Sequence, residues 1–569
     1  LKAGKKHSLQ FLTSLLCLMA VFLASCGGNG TTGSTSSGTA LPDAKQILHY
    51  PVIGDIGSFD PATVQDTDSN FPIQDVFTGL VTLDKNLAVV PELATALPTV
   101  SADGLTYTFT LRSGLKFSNG DPLTASDVVY SINRAVSKKL NSPVSGYLSL
   151  LKDFTAVNTG KIPTLIGDSL LTKGDSTVII KISKPAAYFL ETLSYPTSYV
   201  VNHKIVEKYS TGNSLWTDHL QEGAGSGPFK VESYSHTTGI QLVRNDNYSG
   251  PKPKLSRLSV DFYKNEDGMY KAYQAKQLDF TFVPTADVAN VNSRPDYSAT
   301  DVLTIRYLSL NYLAKPFDNI KIRQALALAI NKDLIVKTAL NNAFTASNHI
   351  IPKGMPGYDT ALTNVDGSTT TTGNPTKAKE LFTAGLKEEG LSVAPALTLT
   401  YYPREQTYKD AMSQVISMWQ SVLGIKVNVQ TVARATLTTL EDATVNNKSL
   451  PLWQAGWNAD YPDPQDWLTT FFDKGSAYNQ FNYGQNQSAD APAEQKVQTL
   501  LEQADTTQDQ TARMKLYNQA EQLIINSVGW IPLWQEKVHS LTNPNVKNLK
   551  LNSQQLIPPD DWSNIYLVQ

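Results

Sequence analysis

Apolar residues at Leu105, Tyr107, Phe109 and Leu111 alternate with Thr106, Thr108 and Thr110, the period-two pattern of a half-buried strand. Asp103-Gly104 marks a turn before it, and a hairpin or meander is expected to follow. After the turn Asn119-Gly120-Asp121-Pro122 the period changes. Thr124 is placed to cap a helix with Asp127 at its third position, and Val128, Val129, Ile132 and Val136 form the buried stripe. Gly223 to Gly227, followed by Pro228-Phe229-Lys230-Val231, reads as a loop entering a strand, with Ile240 to Val243 as its partner. Residues 318–343 read as helical, with Asp318 near the cap and Ile322, Ala325, Leu326, Ala329 and Ile330 on one face. A Thr- and Gly-rich linker spans residues 360–374. Beyond it a strand at Leu397 to Tyr402 is followed by a helix burying Met412, Val415, Ile416, Trp419 and Leu423 and ended by Gly424. Ile425, Val427 and Val429 then alternate as a second strand, completing a β-α-β unit and predicting a parallel sheet in the second half. A late helix, from about Thr511 to Asn526, runs into Trp530-Ile531-Pro532-Leu533-Trp534, read as a buried strand near a domain junction. The class is mixed α/β with more than one domain and no internal repeat.

The start of the chain has a different character. Lys2, Lys5 and Lys6 precede an apolar run from about Leu9 to Leu23, which Leu23-Ala24-Ser25-Cys26 closes. This resembles a bacterial lipobox, which implies cleavage before Cys26 and a lipid on its sulfur. Residues 1–25 are then a signal peptide. An uncleaved membrane anchor is the competing reading. The run Gly27 to Ala40 is too polar to order itself and reads as a tether reaching about 20 Å, from roughly 5–6 Å × √n. Cys17 leaves with the leader, so no intramolecular disulfide is expected. The whole chain carries a net charge of −3, and losing the leader's lysines makes it more acidic, which argues against a nucleic-acid partner. With 41% hydrophobic residues, the body is long enough for two or three domains.

Signs of catalysis are weak. Gly167-Asp168-Ser169-Leu170 matches a lipase-type nucleophile block, but four letters match by chance and no late Asp-x-x-His accompanies them. G-x-S-x-G and H-E-x-x-H are absent; Ser113 to Lys116 and Ser149 to Lys152 match Ser-x-x-Lys without a Lys-Thr-Gly. The histidines at 49, 203, 219, 236, 349 and 539 are scattered, so neither a metal site nor a cofactor is expected. The loop at Gly223 leads into a strand and not a helix, which argues against phosphate. Binding is better supported. Ala455-Gly456-Trp457-Asn458-Ala459-Asp460-Tyr461-Pro462-Asp463-Pro464 reads as an aromatic, helix-breaking loop around the carboxylate of Asp460, which suits an ammonium entering an apolar cleft. A solvated loop with its aromatics tucked into the core is the bland alternative. Asp460 and Asp463, three residues apart around two prolines, need not face one site.

Several ordered blocks carry a wider resemblance: Ser58-Phe59-Asp60-Pro61, Gly79-Leu80-Val81, Val90 to Ala94, Tyr107 to Arg112, Lys116 to Ser131, Gly225 to Phe229, Asn245 to Tyr248, Lys315 to Leu326 and the loop from Trp457 to Pro464. The chain resembles, over nearly all its length from about Asp43, the extracytoplasmic solute-binding proteins of oligopeptide and dipeptide ABC importers. That resemblance implies an α/β, two-lobed clamshell of the type II periplasmic-binding class with an extra domain. Residues 26–42 would be the lipidated Cys and linker; 43–69, 201–308 and 529–569 lobe I; 70–200 the extra domain; and 309–528 lobe II. It also implies that Asp460 holds a peptide's N-terminal ammonium, with Trp457, Asn458 and Tyr461 lining the pocket, and that affinity comes from main-chain hydrogen bonds. The implied partners are short peptides, an ABC permease with its ATPases, and the outer face of the cytoplasmic membrane through Cys26, extracellular or periplasmic; a monomer without enzyme activity is expected. Relatives of this kind also take nickel complexes, haem, opines or sugars, or act as peptide-sensing receptors. One departure stands out: well-known oligopeptide binders carry an Arg just before the Gly-Trp pair, where Trp453 and Gln454 stand here.

Overall fold

Two long antiparallel strands, Tyr297–Leu310 and Trp530–Thr542, form the spine of the body in the computed structural model. The model describes residues 38–210 and 215–569, with positions 67 and 68 described by backbone alone. The sequence dictates both strands: Ile305, Leu308 and Leu310 are buried on one, and Trp530, Ile531, Leu533 and Trp534 on the other, as the run around Trp530 predicts. Their pairing register shifts between Asp301 and Ile305 and again between Arg306 and Tyr307, which breaks the ladder and bends the ribbon.

The spine belongs to a seven-stranded sheet ordered Phe280–Phe282, Trp530–Thr542, Tyr297–Leu310, Leu452–Asn458, Leu397–Tyr401, Val427–Thr431, with Thr345–Ala346 also on Trp530–Thr542. The expected β-α-β unit is present: Leu397–Tyr401 and Val427–Thr431 pair in parallel around the helix Gln406–Leu423. Gly424 ends that helix at φ +69° with its N–H on the carbonyl of Gln420. The sheet is mixed, though, because the spine and Leu452–Asn458 run antiparallel. The predicted helix over 318–343 is two helices, Ile320–Leu328 and Lys332–Thr338. Asn319 caps the first in place of Asp318. Asn331 caps the second by accepting the Leu334 N–H, and that cap interrupts the run. The last helix is Gln510–Ser527.

A second sheet, of four strands, is ordered Ile47–Ile53, Arg257–Tyr263, Gly239–Arg244, Phe229–Ser235. Its hairpin Phe229–Ser235 with Gly239–Arg244 is the one read from the sequence. The edge strand Phe280–Phe282 of the seven-stranded sheet docks here: Phe280 stacks on Tyr50 at 4.8 Å, and the His49 N–H donates to Asp279 at 2.9 Å. A third sheet, ordered Thr99–Val100, Thr106–Thr110, Thr177–Lys181, Leu170–Lys173, carries the helix Ala125–Val136 with its Thr124–Asp127 capping box. The hairpin at Thr106–Thr110 lies before that strand, not after it. Asp103-Gly104 turns the chain back from Thr99–Val100, while the other neighbour, Thr177–Lys181, comes from far along the sequence.

The signal peptide, Cys26 and most of the tether fall outside the described residues. The end of the expected linker does not: Ala40 bridges to Val568 and the Leu41 N–H donates to the carbonyl of Leu567 at 2.9 Å, so residues 40–42 are fastened to the body's last strand. Trp419 gives a direct check of the packing under the mixed sheet. It is fully buried and donates its indole N–H to the carbonyl of Leu326 at 2.9 Å. Trp419→Ala is expected to cost about 3–5 kcal/mol in urea unfolding followed by circular dichroism; a loss under about 1 kcal/mol would show that the site collapses without a cavity.

Candidate functional site

The strand Leu452–Asn458 carries the candidate residues toward solvent. Leu452 to Ala455 are buried in the sheet, then Gly456, Trp457 and Asn458 emerge at its edge. The expected loop therefore begins only after Asn458, because pairing of Asn458, Trp457 and Gly456 with Thr304, Ile305 and Arg306 extends the strand. Gly456 is required by close approach: a Cβ there would stand 2.3 Å from Arg306 Nη1 and 2.5 Å from Arg306 Cδ.

Beyond the strand, three aspartates take different tasks. Asp466 is buried and organises the turn, its Oδ2 accepting the Trp457 indole N–H at 3.1 Å and the Asp460 N–H at 3.0 Å. Asp463 is also buried; it caps the short helix Pro464–Asp466 through the Gln465 N–H and pairs with the guanidinium of buried Arg513. Asp460 is turned the other way. Its side chain accepts from the hydroxyl of Tyr147 and, among the described residues, has no cationic partner. Burial pushes its pKa up to about 7, held back by that one hydrogen bond. Asp460 and Asp463 thus do not face one site.

Asp460, Asn458 and Trp457 line a cavity of about 550 Å³, closed on the other side by Tyr147 and Tyr195 from the segment expected as the extra domain. Such a volume suits a small ligand of several residues' size. Trp457 meets Phe471 and Tyr478 edge-to-face at 4.9 and 5.4 Å, and Asn458 accepts from Thr304 Oγ1 at 2.8 Å. Tyr461 is the exception among the expected pocket residues. It packs into the core of the third sheet, stacked on Tyr188 at 6.4 Å and edge-on to Tyr147, with its hydroxyl on Gln465. Its backbone follows the turn held by Asp466, which points the ring away from the cavity, so Tyr461 buttresses the wall and does not line it.

The structure adds residues that sequence reading missed. Arg306, Arg404, Arg434 and Glu441 also reach the cavity. Arg306 grips Glu536 through two hydrogen bonds of 2.7 and 3.2 Å, and Arg404 and the Tyr408 hydroxyl join them. Burial alone would raise Glu536; the two guanidinium groups outweigh it and hold the pKa down at about 2. Tyr147, Tyr195 and these arginines come from separate segments, and no spacing links them in the sequence.

The enzyme-like motifs resolve into structure. Ser169 is buried and donates to the carbonyl of Lys152 at 2.7 Å, while Lys152 pairs with Asp168. Among the described residues, no three His, Cys, Asp or Glu side chains gather as a metal site, and no helix is long and apolar enough to cross a membrane.

Residues 88–479 match a family model described as bacterial extracellular solute-binding proteins, family 5, middle. The chain is 29% identical to the oligopeptide-binding protein OppA of Bacillus subtilis over 533 residues, covering 92% of this chain and 93% of that protein. It is 28% identical to the dipeptide-binding protein DppE of the same organism, covering 93% and 94%. The fold is that of the Escherichia coli murein tripeptide binding protein MppA, with a TM-score of 0.73 at 23% identity over 93% of this chain and 100% of that one.

The contrast between neighbouring aspartates is measurable. Removing one partner of a buried ion pair strands the other, so Asp463→Ala is expected to cost about 3–5 kcal/mol of stability. Asp460→Asn behaves oppositely. An ordinary carboxyl ionises near pH 4 in the unfolded chain, but Asp460 ionises only near 7 when folded. It therefore subtracts stability increasingly between those values and fully above them. In urea titrations of the ligand-free chain at pH 8, Asp460→Asn should be at least as stable as wild type; a marked loss would show that the carboxylate is already paired.

Proposed function

The chain belongs to the bacterial extracellular solute-binding proteins, family 5, and from that premise we propose that it captures short peptides outside the cytoplasmic membrane and hands them to the permease and ATPases of an ABC importer. The observation that carries the reading is Asp460, a carboxylate drawn out of water at the wall of the cavity, bonded only to Tyr147 and facing no cation of its own. Burying such a charge is unfavourable until a cation joins it. A peptide's terminal ammonium supplies that charge together with three hydrogen-bond donors. Trp457, Tyr147 and Tyr195 give its carbon neighbours an apolar, aromatic surface.

The strand beside the cavity supports the rest of the reading. Beyond Trp453, which faces Thr400, the side of Leu452–Asn458 away from the spine has no strand partner among the described residues. An extended peptide laid along that edge gains main-chain hydrogen bonds without its side chains being read. The relatives named as oligopeptide- and dipeptide-binding fit such a ligand.

Closure follows from the same geometry. Residues 43–69, 201–308 and 529–569 act as one lobe, 309–528 as the other and 70–200 as the extra domain, with the broken register of the spine as the hinge. An ammonium on Asp460 favours the closed form because only there is the carboxylate fully desolvated. Cys26 holds the protein to the outer face of the membrane through a lipid, as a monomer. It performs no chemistry on its ligand: Ser169, the serine of the lipase-like block, is spent on a backbone carbonyl.

Native mass spectrometry of the purified chain mixed with a pool of two- to eight-residue peptides tests this. Peptide adducts on wild type, reduced at least about a hundredfold by Asp460→Ala, are expected, the size of a lost charged hydrogen-bond set in a dry site. A retained sugar or metal complex with no peptide adduct would overturn the substrate.

A further inference from the structure

A second carboxylate in the cavity is without a paired cation among the described residues. The helix Arg434–Asp442 lines the same cavity as Asp460, and from its last turn Glu441 reaches the cavity, as Tyr307 does. Glu441 is only 7% exposed, yet its carboxylate forms no ion pair with any described residue. The groups around it are few. Arg434, seven residues earlier on the same helix, is exposed and acts on Glu441 by charge alone; Asp442 opposes it; and the indole N–H of Trp453, which has no hydrogen-bond acceptor of its own, faces it from the neighbouring strand.

The charge balance of the cavity points the same way. Arg306 and Arg404 are committed to Glu536, and Arg404 also to Glu266. That leaves Asp460, Glu441 and Asp442 against Arg434 alone, with Asp442 bonded to Gln480 at 3.2 Å. Tyr478 also lines the cavity, its hydroxyl held up by burial and then by Asp460, Asp466 and Asp442. A zwitterionic peptide brings no net charge to this excess. One with a basic side chain does, and a buried acid without a partner is the place where that charge is worth most.

We infer that Glu441 is a specificity-determining residue, a second cation subsite that selects peptides carrying a lysine or arginine side chain. The inference rests on the peptide reading of the same cavity. It accounts for a glutamate at a nearly closed position where leucine would pack without cost, as Leu437 does one turn earlier.

The test is calorimetry of the full chain at pH 8 with tri-alanine peptides in which the second or third residue is replaced in turn by lysine, by norleucine or by Nε-acetyl-lysine. At one of the two positions wild type should bind the lysine peptide about ten- to a hundredfold more tightly than both neutral analogues, the range of a charge-assisted hydrogen bond. In Glu441→Gln the ratio between lysine and norleucine peptides should fall to about one. Equal affinities in wild type would show that Arg434 swings in to neutralise Glu441 and would overturn the subsite while leaving peptide capture intact. A preference that survives in Glu441→Gln would equally overturn the assignment. No binding of any of these peptides would remove both this inference and the reading beneath it.

Discussion

A carboxylate buried without a cation ionises at a cost, and this chain carries several: Asp75, Glu92 and Glu521 are buried in the body with N–H donors as partners, whereas Asp460 is set at the wall of a cavity that a ligand can enter. Asp463 is matched by Arg513, and Glu536 by Arg306 and Arg404. Asp466 is satisfied by the two N–H donors that shape the turn. Each of these pairings fixes backbone that must be rigid for Asp460 to be held where no lysine or arginine reaches it. Asp463 and Asp466, within six residues of Asp460, hold the turn that carries it, so that the free energy of Asp460 is lowered chiefly by what enters from outside.

The spine makes this arrangement possible. Tyr297–Leu310 holds Leu452–Asn458 in register on one side and Trp530–Thr542 on the other. Arg306 crosses Gly456, passes the cavity and ends on Glu536 of the partner strand, so the same side chain borders the binding surface and ties the two long strands where their register breaks. A second cavity of about 230 Å³ lies on the other side of this cluster, sharing Arg306, Arg404, Tyr408 and Asn458 with the first. Space on both sides of a bonded ribbon suits the hinge proposed here, and the bidentate ion pair ties the two strands across it.

The sequence made some of this legible and hid the rest for physical reasons. The Thr124–Asp127 cap, the β-α-β unit around Trp419 and the strand at Trp530 all follow from local periodicity and capping, and each is present. Apolar spacing continues across Ala329 and Ile330 and so predicts one helix over 318–343, whereas Asn331 stops the backbone by bonding the Leu334 N–H. The hairpin at Thr106 was placed on the wrong side since a strand's alternation carries no information about which neighbour pairs with it. At the site, Trp457, Asn458 and Asp460 could be picked out because aromatics, a carboxylate and prolines crowd ten residues. Tyr461 belonged to the same crowd but faces the core, a matter of one turn that composition does not encode. Tyr147, Tyr195, Arg434 and Glu441 are isolated in the sequence and are brought to the cavity only by the packing of separate segments.

The central claim is that Asp460 waits for an ammonium group. Calorimetry at pH 8, with a tripeptide carrying a free amino terminus and with its N-acetylated twin, tests it most directly, because the two ligands differ in that charge and in little else. The account predicts that acetylation weakens binding by at least about a hundredfold, the worth of a charge-assisted hydrogen-bond set in a water-poor site. Equal affinity for the two would contradict it, showing that the cavity holds its ligand without calling on the carboxylate of Asp460.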